Sequence, residues 1–499
     1  MKVEFEVNDI FRKYGDLYKK TSSSMRWPIW PNQLKALRDI QQCRTSELGG
    51  HKEVCDTCAG IRISYNSCRN RHCPKCQSLP AEKWILDRSD EILPIGHFHV
   101  VFTIPDKLNT LIINNPHNQQ VVYNILFKAA SQTLLLLSRD KKFLGAKVKI
   151  GIIGILHTWG QNLMSHSHIH FLVTGGGLAT SKKGRDDDED DKDGDRDRDR
   201  DRDRDRDDGD QFDRCDQWVW ARRTKKRKTE FLFPKGVVSK LFKGIFLSDL
   251  RDSYLNGELK LKGANGDGDG DGDADKNFQE LIRSVNYKKW VVYFKPPIKN
   301  SSKVIEYFGR YTHRVAISNR RIIKVEDGRV FFKWKDYKDG NKIKIMSLEA
   351  VEFIRRFLLH ILPPRFVKIR YYGLYGNRNR KETIQRCQAL LGVEKTASTS
   401  ETESQSNTSD SQNKKWWEII LERKGIDITL CPFCKVGHMH YQESLCCVDN
   451  VNDNGNTCAP TYTYKSRYNY YDYINNMRAP PASVRGEPRA GFVPGNKNI

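Results

Sequence analysis

The chain has 499 residues, a hydrophobic content of 38% and a formal net charge of +23. Its length predicts about three domains, and no run approaches the 18 apolar residues of a membrane-spanning helix. The N-terminus has no apolar signal core, so we expect a cytoplasmic protein that does not bind membranes.

The charge is unevenly distributed along the chain. Residues 185–214 hold 17 acidic and 9 basic residues, so the rest of the chain carries +31. A surplus of this size indicates a polyanionic partner. No basic amphipathic helix with a clean apolar face stands out, which favours nucleic acid over a membrane surface.

The N-terminal part combines helical spacing with a cluster of metal-binding residue types. Residues 1–40 have helical spacing interrupted at 27–31, and residues 78–93 return to it. Between them lie eight candidate zinc ligands: Cys43, His51, Cys55, Cys58, Cys68, His72, Cys73 and Cys76. Zinc takes four N or S ligands, and a Cys-x-x-Cys pair supplies two from one turn. The cluster therefore predicts one or two structural zinc ions, with free thiols as the alternative.

Basic residues are interleaved with these candidate ligands. Arg69, Arg71 and Lys75 lie between or beside the second half of the cluster. Cations in such a position favour a surface that binds DNA phosphates.

The middle of the chain is rich in predicted strands. In chain order we predict a strand at 97–105, a helix at 118–138, strands at 147–157 and 165–174, a helix after 231, a strand at 290–295, a short helix at 304–311, a hairpin at 322–334 and a helix at 348–362. A short link joins the strands at 147–157 and 165–174, which favours an antiparallel pair.

Two acidic low-complexity stretches interrupt this section. Residues 181–216 repeat Arg-Asp, and residues 263–276 repeat Gly-Asp. Neither can bury an apolar core, so we expect both to be disordered insertions in surface loops.

The predicted strand at 165–174 carries two histidines on one face. His168 and His170 are two residues apart, so both imidazoles can hold one metal ion. The third ligand stays open between His157, which we favour, and His166 or Gln161. Two imidazoles leave most coordination positions of the ion open for phosphate oxygens and water. This favours Mg²⁺ or Mn²⁺ as the bound ion. A strand with structural histidines is the alternative.

Two tyrosines follow far downstream. Tyr307 and Tyr311 are four residues apart and share one face of the predicted helix. The cations Arg310, His313 and Arg314 lie in the same stretch and suit DNA phosphates. The alternative is that both tyrosines are packed aromatic residues without a catalytic role. Taken together with the histidine pair, they predict that a tyrosine oxygen attacks a phosphate polarised by the metal ion.

The C-terminal part contains a further Cys-x-x-Cys motif. Cys431 and Cys434 resemble a zinc knuckle, while the ligands of its second half stay ambiguous. The whole chain is thus expected to hold one to three zinc ions.

Several of these motifs resemble those of one family. Residues 43–77 resemble the zinc-binding domain of insertion-sequence-91-like transposases. Residues 156–170 are similar to the metal region of that family, and residues 307–319 and 353–363 to its two-tyrosine helix and the segment that follows. The resemblance covers roughly residues 25–395, apart from the two acidic insertions.

The resemblance implies an α+β fold with an HUH endonuclease domain, which is an antiparallel sheet flanked by helices. It also implies that His168 and His170 are metal ligands and that Tyr307 and Tyr311 are nucleophiles. The expected function is nicking and rejoining of single-stranded DNA at transposon ends through 5′-phosphotyrosine intermediates, in rolling-circle-type transposition into target DNA. A plasmid replication initiator or relaxase of the same chemistry, and a non-catalytic zinc protein that binds DNA, are the alternatives.

These expectations divide the chain into six parts. They are a helical and zinc-binding DNA-recognition domain at 1–93, the nuclease domain with its two insertions at 94–325, the C-terminal part of the transposase core at 326–395, a linker at 396–414, a small zinc-knuckle-like segment at 415–458 and a polar tail at 459–499.

Overall fold

The fold was obtained as a computed structural model and combines helices with antiparallel sheets. It describes residues 4–25, 29–113, 115–144, 146–179, 217–221, 232–261, 271–393 and 416–445. The predicted insertion at 181–216, residues 263–270 of the second predicted insertion, the linker at 396–414 and the tail at 459–499 lie outside these ranges. The α+β class expected from the sequence is confirmed.

The helices are α1 Val7–Ser24, α2 Pro31–Gln42, α3 Ser78–Ser89, α4 Asn109–Ile112, α5 Pro116–Arg139, α6 Lys141–Leu144, α7 Lys235–Leu255, α8 Asp271–Asn286, α9 Ser301–Thr312, α10 Ala350–Leu358, α11 Arg380–Leu390 and α12 Trp416–Lys424. The strands are β1 Gly50–Cys55, β2 Ile61–Tyr65, β3 His97–Thr103, β4 Val148–Trp159, β5 Ser165–Ala179, β6 Gln217–Trp220, β7 Val291–Ile298, β8 Ile322–Glu326, β9 Arg329–Asp336, β10 Lys342–Glu349, β11 Ile369–Gly373 and β12 Met439–Leu445.

The largest sheet has the strand order β11-β4-β5-β3-β7, and β6 pairs with the far end of β5. All of its pairings are antiparallel. Because β4 and β5 lie in the middle with helices on both faces, their side chains are almost all buried. This explains why β4 is rich in isoleucine and does not alternate with polar residues along most of its length.

Each face of this sheet packs against its own helical layer. One face contributes Phe102 and Phe171 to a large core with α5 and α7. The opposite face contributes Ile153, Ile155 and Leu172 to a smaller core with α3, α9 and α11. The candidate catalytic residues lie on this second face.

A second sheet, β10-β9-β8, packs against the N-terminal helices. Phe332 and Phe353 meet edge to face at 5.9 Å, and Phe11 packs on Phe357 at 5.1 Å. These contacts join α1 and α2 to α10 in one buried cluster. The segment at 326–395 is therefore packed against the N-terminal part of the chain as well as the central sheet.

The third sheet has the order β12-β1-β2 and joins strands that are far apart in the sequence. Gly50 to Cys55 pairs with Leu445 to Met439 in antiparallel register. The predicted zinc-knuckle-like segment at 415–458 is thus joined to the zinc-binding part of the chain in the structure. A strand pairing of this kind leaves no signal in the local sequence.

Two local predictions differ from the structure. Residues 271–276 were expected to be part of a disordered insertion, but they form the start of α8, whose later turns bury Phe278 and Ile282. The strand β7 was expected to stop at Pro296, but it continues to Ile298. An edge strand tolerates proline because one side of its backbone needs no ladder partner, and β7 is at the sheet edge.

One helix in the described part of the chain, α5, is long and apolar enough to cross a membrane by length and composition. However, 67% of its apolar window is buried inside the protein. It packs on β4 and α7, as a core helix does.

Candidate active site

Three histidine side chains converge on one face of the central sheet. His168 and His170 alternate along β5, and the register of β4 with β5 places His157 directly opposite His168. The ligand nitrogens of all three lie within 4.8 Å of one another. His168 Nε2 is 3.1 Å from His170 Nε2. The strand pairing thus assembles a three-imidazole group that could hold a metal ion.

Hydrogen bonds to main-chain carbonyls set the tautomers of two of these rings. A carbonyl only accepts, so Nδ1–H of His168 donates to the His166 carbonyl at 2.7 Å. Likewise Nε2–H of His157 donates to the Tyr311 carbonyl at 2.9 Å. The other nitrogen of each ring keeps its lone pair, as a metal ligand requires.

Burial keeps these imidazoles neutral. It lowers the pKa of His168 to about 3 and also lowers the pKa of His157 and His170 well below the ordinary value. Neutral imidazole is the form that binds metal ions. The three rings therefore keep nitrogen lone pairs available for a metal ion.

Helix α9 brings both tyrosines to this group. The side chain of Asn300 caps the helix by accepting from the Lys303 N–H at 3.0 Å. Tyr307 and Tyr311 share one helix face, and their hydroxyl oxygens are 3.1 Å apart. The ring centroid of Tyr311 lies 4.6 Å from that of His170.

A close helix contact holds α9 in this position. A Cβ atom on Gly309 would lie only 2.4 Å from Ile85 Cγ1 of α3, so glycine permits the approach of the two helices. Next to it, Phe308 is fully buried and packs on Trp84 with ring centroids 6.5 Å apart. The apolar side of α9 therefore fixes the direction in which the tyrosines point.

Two residues that the sequence interpretation did not single out complete the site. His99 of β3 lies between the tyrosine and the metal group, with Nδ1 at 3.1 Å from the Tyr307 hydroxyl and Nε2 at 2.8 Å from His170 Nδ1. Lys295 of β7 donates to the Tyr307 hydroxyl at 2.8 Å.

The strand pairing explains why these two residues meet, because His99 is opposite Lys295 in the β3–β7 register. The alternation His97-Phe98-His99 was a second signal of the same kind as His168 and His170. Only His99 of these two histidines reaches the tyrosine pair, since His97 is fully buried and bonds to Tyr375 at 2.8 Å.

The protein environment makes the phenols harder to ionise. Burial raises the pKa of Tyr311 to about 12 and raises the pKa of Tyr307. Lys295 and Arg314 act on the pKa of Tyr311 in the opposite direction. Nearby cations are therefore needed if either phenol is to act as a nucleophile at neutral pH.

The structure separates the candidate third metal ligands. His157 belongs to the three-imidazole group, whereas His166 does not. His166 offers its carbonyl to His168, and the Gln161 side chain donates to Tyr337 at 3.5 Å.

The predicted DNA-binding residues near the tyrosines differ in their surroundings. Arg310 and Arg314 are exposed at the end of α9. His313 is partly buried, its Nδ1 lies 2.9 Å from Thr312 Oγ1, and burial lowers its pKa to about 4. The two arginines are thus the accessible cations beside the tyrosine pair.

The predicted DNA-binding residues of the cysteine cluster have internal partners. The guanidinium of Arg71 donates to the carbonyls of Phe366 at 2.5 Å and Pro363 at 2.7 Å. Lys75 forms an ion pair with Glu6 at 2.7 Å. Arg69 is exposed and has a left-handed backbone, with φ of 52°. Arg71 and Lys75 therefore join segments of the protein in this structure.

Eight of the nine cysteines in the described ranges fall into two separate groups of four thiols. Cys43, Cys68, Cys73 and Cys76 form the first, within 4.8 Å of one another. Their closest sulfur atoms, those of Cys43 and Cys76, are 3.5 Å apart. This is close to the roughly 3.8 Å edge of a tetrahedron with 2.3 Å Zn–S bonds.

The second group combines two Cys-x-x-Cys turns that are far apart in the sequence. It contains Cys55, Cys58, Cys431 and Cys434, again within 4.8 Å of one another. The two predicted Cys-x-x-Cys motifs of the N-terminal cluster therefore do not share one site, because each belongs to a different group.

The two histidines of the predicted zinc cluster lie outside both thiol groups. His51 Nε2 is 3.5 Å from a carboxylate oxygen of the buried Glu53. His72 Nε2 accepts from the Leu362 N–H at 3.3 Å. Neither thiol group needs a histidine, since each already offers the four ligands that structural zinc takes.

Comparison with known proteins gives matches to two family models. The model described as “Putative transposase” matches residues 151–190 and 214–383, and the model described as “Transposase zinc-binding domain” matches residues 10–104. The first ranges include the three-imidazole group and the tyrosine pair, and the second includes the first thiol group. Cys431 and Cys434 lie outside both.

Two named transposases are similar to most of the chain. “Putative transposase y4qJ” of Sinorhizobium fredii is 38% identical over 438 residues, which are 87% of this chain and 94% of that protein. “Transposase for insertion sequence element IS801” of Pseudomonas savastanoi pv. phaseolicola is 24% identical over 362 residues, which are 70% of this chain and 74% of that protein. No solved structure matches the chain. The chain therefore belongs to the insertion-sequence-91-like transposases, and its N-terminal part is their zinc-binding domain.

Proposed function

We propose that this transposase nicks and rejoins single-stranded DNA at transposon ends through 5′-phosphotyrosine intermediates. The observation that carries the proposal is the position of two phenol oxygens, 3.1 Å apart, beside a group of three neutral imidazoles. Rolling-circle-type transposition follows if the released 3′-OH primes replacement of the transferred strand.

The donor set of the imidazole group fits a divalent cation. His157, His168 and His170 offer three nitrogen lone pairs and leave the remaining coordination positions for phosphate oxygens and water. Bound there, Mg²⁺ or Mn²⁺ would polarise the scissile phosphate and offset its negative charge. Three nitrogen ligands favour Mn²⁺ over Mg²⁺, because Mg²⁺ prefers oxygen.

Tyr307 is the better prepared nucleophile. If the Nε2 lone pair of His170 binds the metal ion, its proton is on Nδ1 and donates to His99 Nε2. The proton of neutral His99 is then on Nδ1 and donates to the Tyr307 oxygen, which also accepts from Lys295. Two donors on one phenol oxygen stabilise its ionised form and offset the effect of burial.

The reaction then balances without an external energy source. The phenol oxygen attacks the phosphorus atom, the bond from phosphorus to O3′ breaks, and O3′ takes up a proton to become a 3′-OH. The phosphate remains as a 5′-phosphotyrosine ester, so a 3′-OH can reverse the step. The second tyrosine allows a second strand to be cut before the first ester is resolved.

The two alternatives predict different observations. A replication initiator or relaxase would use the same chemistry, but the relatives of this chain are named as transposases. A non-catalytic zinc protein would not need the contacts between the tyrosines, His99 and His170. The adduct measurement below distinguishes this second alternative.

The second sheet offers a path for the DNA strand. Lys333 and Lys335 are exposed on the outward face of β9, and no ion pair joins either to another residue in the described ranges. Exposed Ile343 and Ile345 of β10 lie opposite these two lysines on the same face. Cations next to apolar side chains suit the backbone and bases of an unpaired strand.

This face adjoins the metal region. Tyr337, which is 65% exposed, accepts from the side chain of Gln161 in the β4–β5 loop. Arg321, just before β8, donates to the Gln161 carbonyl. A strand lying on β9 and β10 could therefore continue towards the three histidines.

Replacing both tyrosines should abolish covalent DNA adducts. In Tyr307→Phe/Tyr311→Phe we expect adduct formation to fall by more than about 10³-fold, the scale expected when a covalent nucleophile is lost. A single-stranded element end carrying a label at its 3′ end, resolved on a denaturing gel, measures the adduct. Tyr287→Phe, at an exposed tyrosine outside the site, should form normal amounts. Adducts that persist in the double variant would exclude this tyrosine pair.

His157 should be the third metal ligand. In His157→Ala we expect the Mn²⁺ concentration for half-maximal adduct formation to rise about tenfold or more, because one of three nitrogen ligands is lost. His166→Ala should change it less than twofold, since His166 contributes its carbonyl and not its ring. A larger effect from His166→Ala would assign the ligand to that residue instead.

His99 should act through Tyr307. His99→Phe keeps a buried ring but removes both hydrogen bonds, and we expect roughly 10- to 100-fold slower adduct formation in a Tyr311→Phe background, where Tyr307 must react. In a Tyr307→Phe background the loss should be several times smaller. Equal losses in both backgrounds would indicate that His99 only supports the fold or the metal group.

The outward lysines of β9 should contribute to DNA binding. In Lys333→Ala/Lys335→Ala we expect weaker binding of a single-stranded oligonucleotide and a salt dependence shallower by about 1.4 in log–log slope, since two phosphate contacts are lost. Lys141→Ala/Lys142→Ala removes two exposed lysines of α6 and serves as the matched control. An unchanged slope in the β9 variant would exclude this face as the DNA path.

A further inference from the structure

The second thiol group is assembled from cysteines that are far apart in the sequence. Cys55 Sγ lies 3.7 Å from Cys434 Sγ across a separation of 379 residues. Cys58 Sγ lies 3.7 Å from Cys431 Sγ across 373 residues. Both distances match the roughly 3.8 Å edge of a tetrahedral zinc–sulfur site.

The two halves of this group have the same local backbone geometry. In each Cys-x-x-Cys turn the residue after the second cysteine has positive φ: Ala59 at 54° and Lys435 at 62°. The N–H of that residue donates to the carbonyl of the first cysteine, at 3.2 Å for Cys55 and 3.1 Å for Cys431.

Main-chain amides also point at the sulfur atoms. The N–H groups of Thr57 and Phe433 donate to the first sulfur of their turns, each at 3.4 Å. The Gly437 N–H donates to Cys434 Sγ at 3.4 Å. Such bonds orient a thiolate and compensate part of its charge, as the ligands of a zinc ion require.

Within the described ranges the other candidate ligands have partners elsewhere, including His438 beside Asp427 and His440 beside Asp56, so neither turn finds four ligands of its own there. The first thiol group has its four sulfur atoms, and His51 and His72 lie elsewhere. A Cys-x-x-Cys turn supplies only two of the four ligands that structural zinc takes. Cys55 and Cys58 therefore depend on Cys431 and Cys434, and the dependence is mutual.

The apolar contacts around this group are too small to hold the segment by themselves. The buried cluster consists of Cys55, Cys431 and Met439, with Cys434 beside it. So few apolar side chains contribute little compared with the cost of ordering a terminal strand. The pairing of β12 with β1 therefore needs a further source of stability.

We propose that one zinc ion held by Cys55, Cys58, Cys431 and Cys434 fastens the C-terminal segment onto the N-terminal zinc-binding domain. In this zinc clasp, metal binding and the pairing of β12 with β1 stabilise each other. The clasp joins the two sequence segments that flank the proposed nuclease domain. It is separate from the three-imidazole group.

The clasp can be tested in the full chain by cutting it between the two halves. A sequence for a site-specific protease is inserted within residues 396–414, and the protein carries an affinity tag at its C-terminus. After cleavage we expect both fragments to elute together in zinc-containing buffer and to separate when a strong zinc chelator is added. Fragments that separate with zinc present, or that stay together after zinc is removed, would overturn the proposal.

Zinc content provides a second measurement that does not depend on catalysis. We expect two zinc ions per wild-type chain, and one in Cys431→Ser/Cys434→Ser, whose fragments should also separate after cleavage. Cys446→Ser/Cys447→Ser changes neighbouring cysteines and should keep both ions. Two ions in the Cys431→Ser/Cys434→Ser variant, or only one in the wild type, would refute the clasp.

Discussion

The antiparallel register of β4 with β5 is the constraint on which the candidate active site depends. It places His157 opposite His168 and keeps His170 on the same face. If the register shifted by one residue, the side chains of one strand would exchange faces. Its histidines would then point into the core formed with α5, and its apolar side chains would point towards α3, α9 and α11. Because both faces of these strands are buried, such a slip would leave polar rings without partners among apolar side chains, which is costly. The apolar residues of β4 and β5 therefore determine the position of the histidines as much as the histidines themselves do.

Burial of this many polar groups is tolerated because they form one continuous hydrogen-bonded chain. It runs from His170 to His99, Tyr307 and finally Lys295. Each member has at least one partner, so the low local dielectric strengthens the network instead of penalising unpaired groups. The same arrangement explains why the site is preorganised: three strands and one helix each contribute a member, and the packing of Gly309 on Ile85 fixes the helix.

The parts of the site that follow from local periodicity were predictable from the sequence, and those that follow from tertiary pairing were not. The spacing of His168 and His170 and that of Tyr307 and Tyr311 are properties of one strand and one helix. His157 could be favoured as the third member because a short link predicted the antiparallel pair, but His99 and Lys295 meet Tyr307 only through the order of β5, β3 and β7.

Similarly, the basic residues Arg71 and Lys75 looked like a DNA surface, although an arginine satisfies main-chain carbonyls equally well. The division of the cysteines was also hidden, because a tetrahedral site is indifferent to sequence separation.

That indifference has a thermodynamic basis. Loop-closure entropy grows only with the logarithm of loop length, so closing a loop of 373 residues costs about 2 kcal/mol more than closing one of 30 residues. The apparent binding free energy of structural zinc in small peptides is about 10–16 kcal/mol, which exceeds this difference several-fold. Packing of the segments between the two turns reduces the difference further, since a folded chain holds its sequence-distant parts closer together than an unfolded one. The two thiol groups then differ mainly in when they can form. Cys43 to Cys76 can close within one short segment, whereas the clasp requires that the chain has been synthesised at least as far as Cys434.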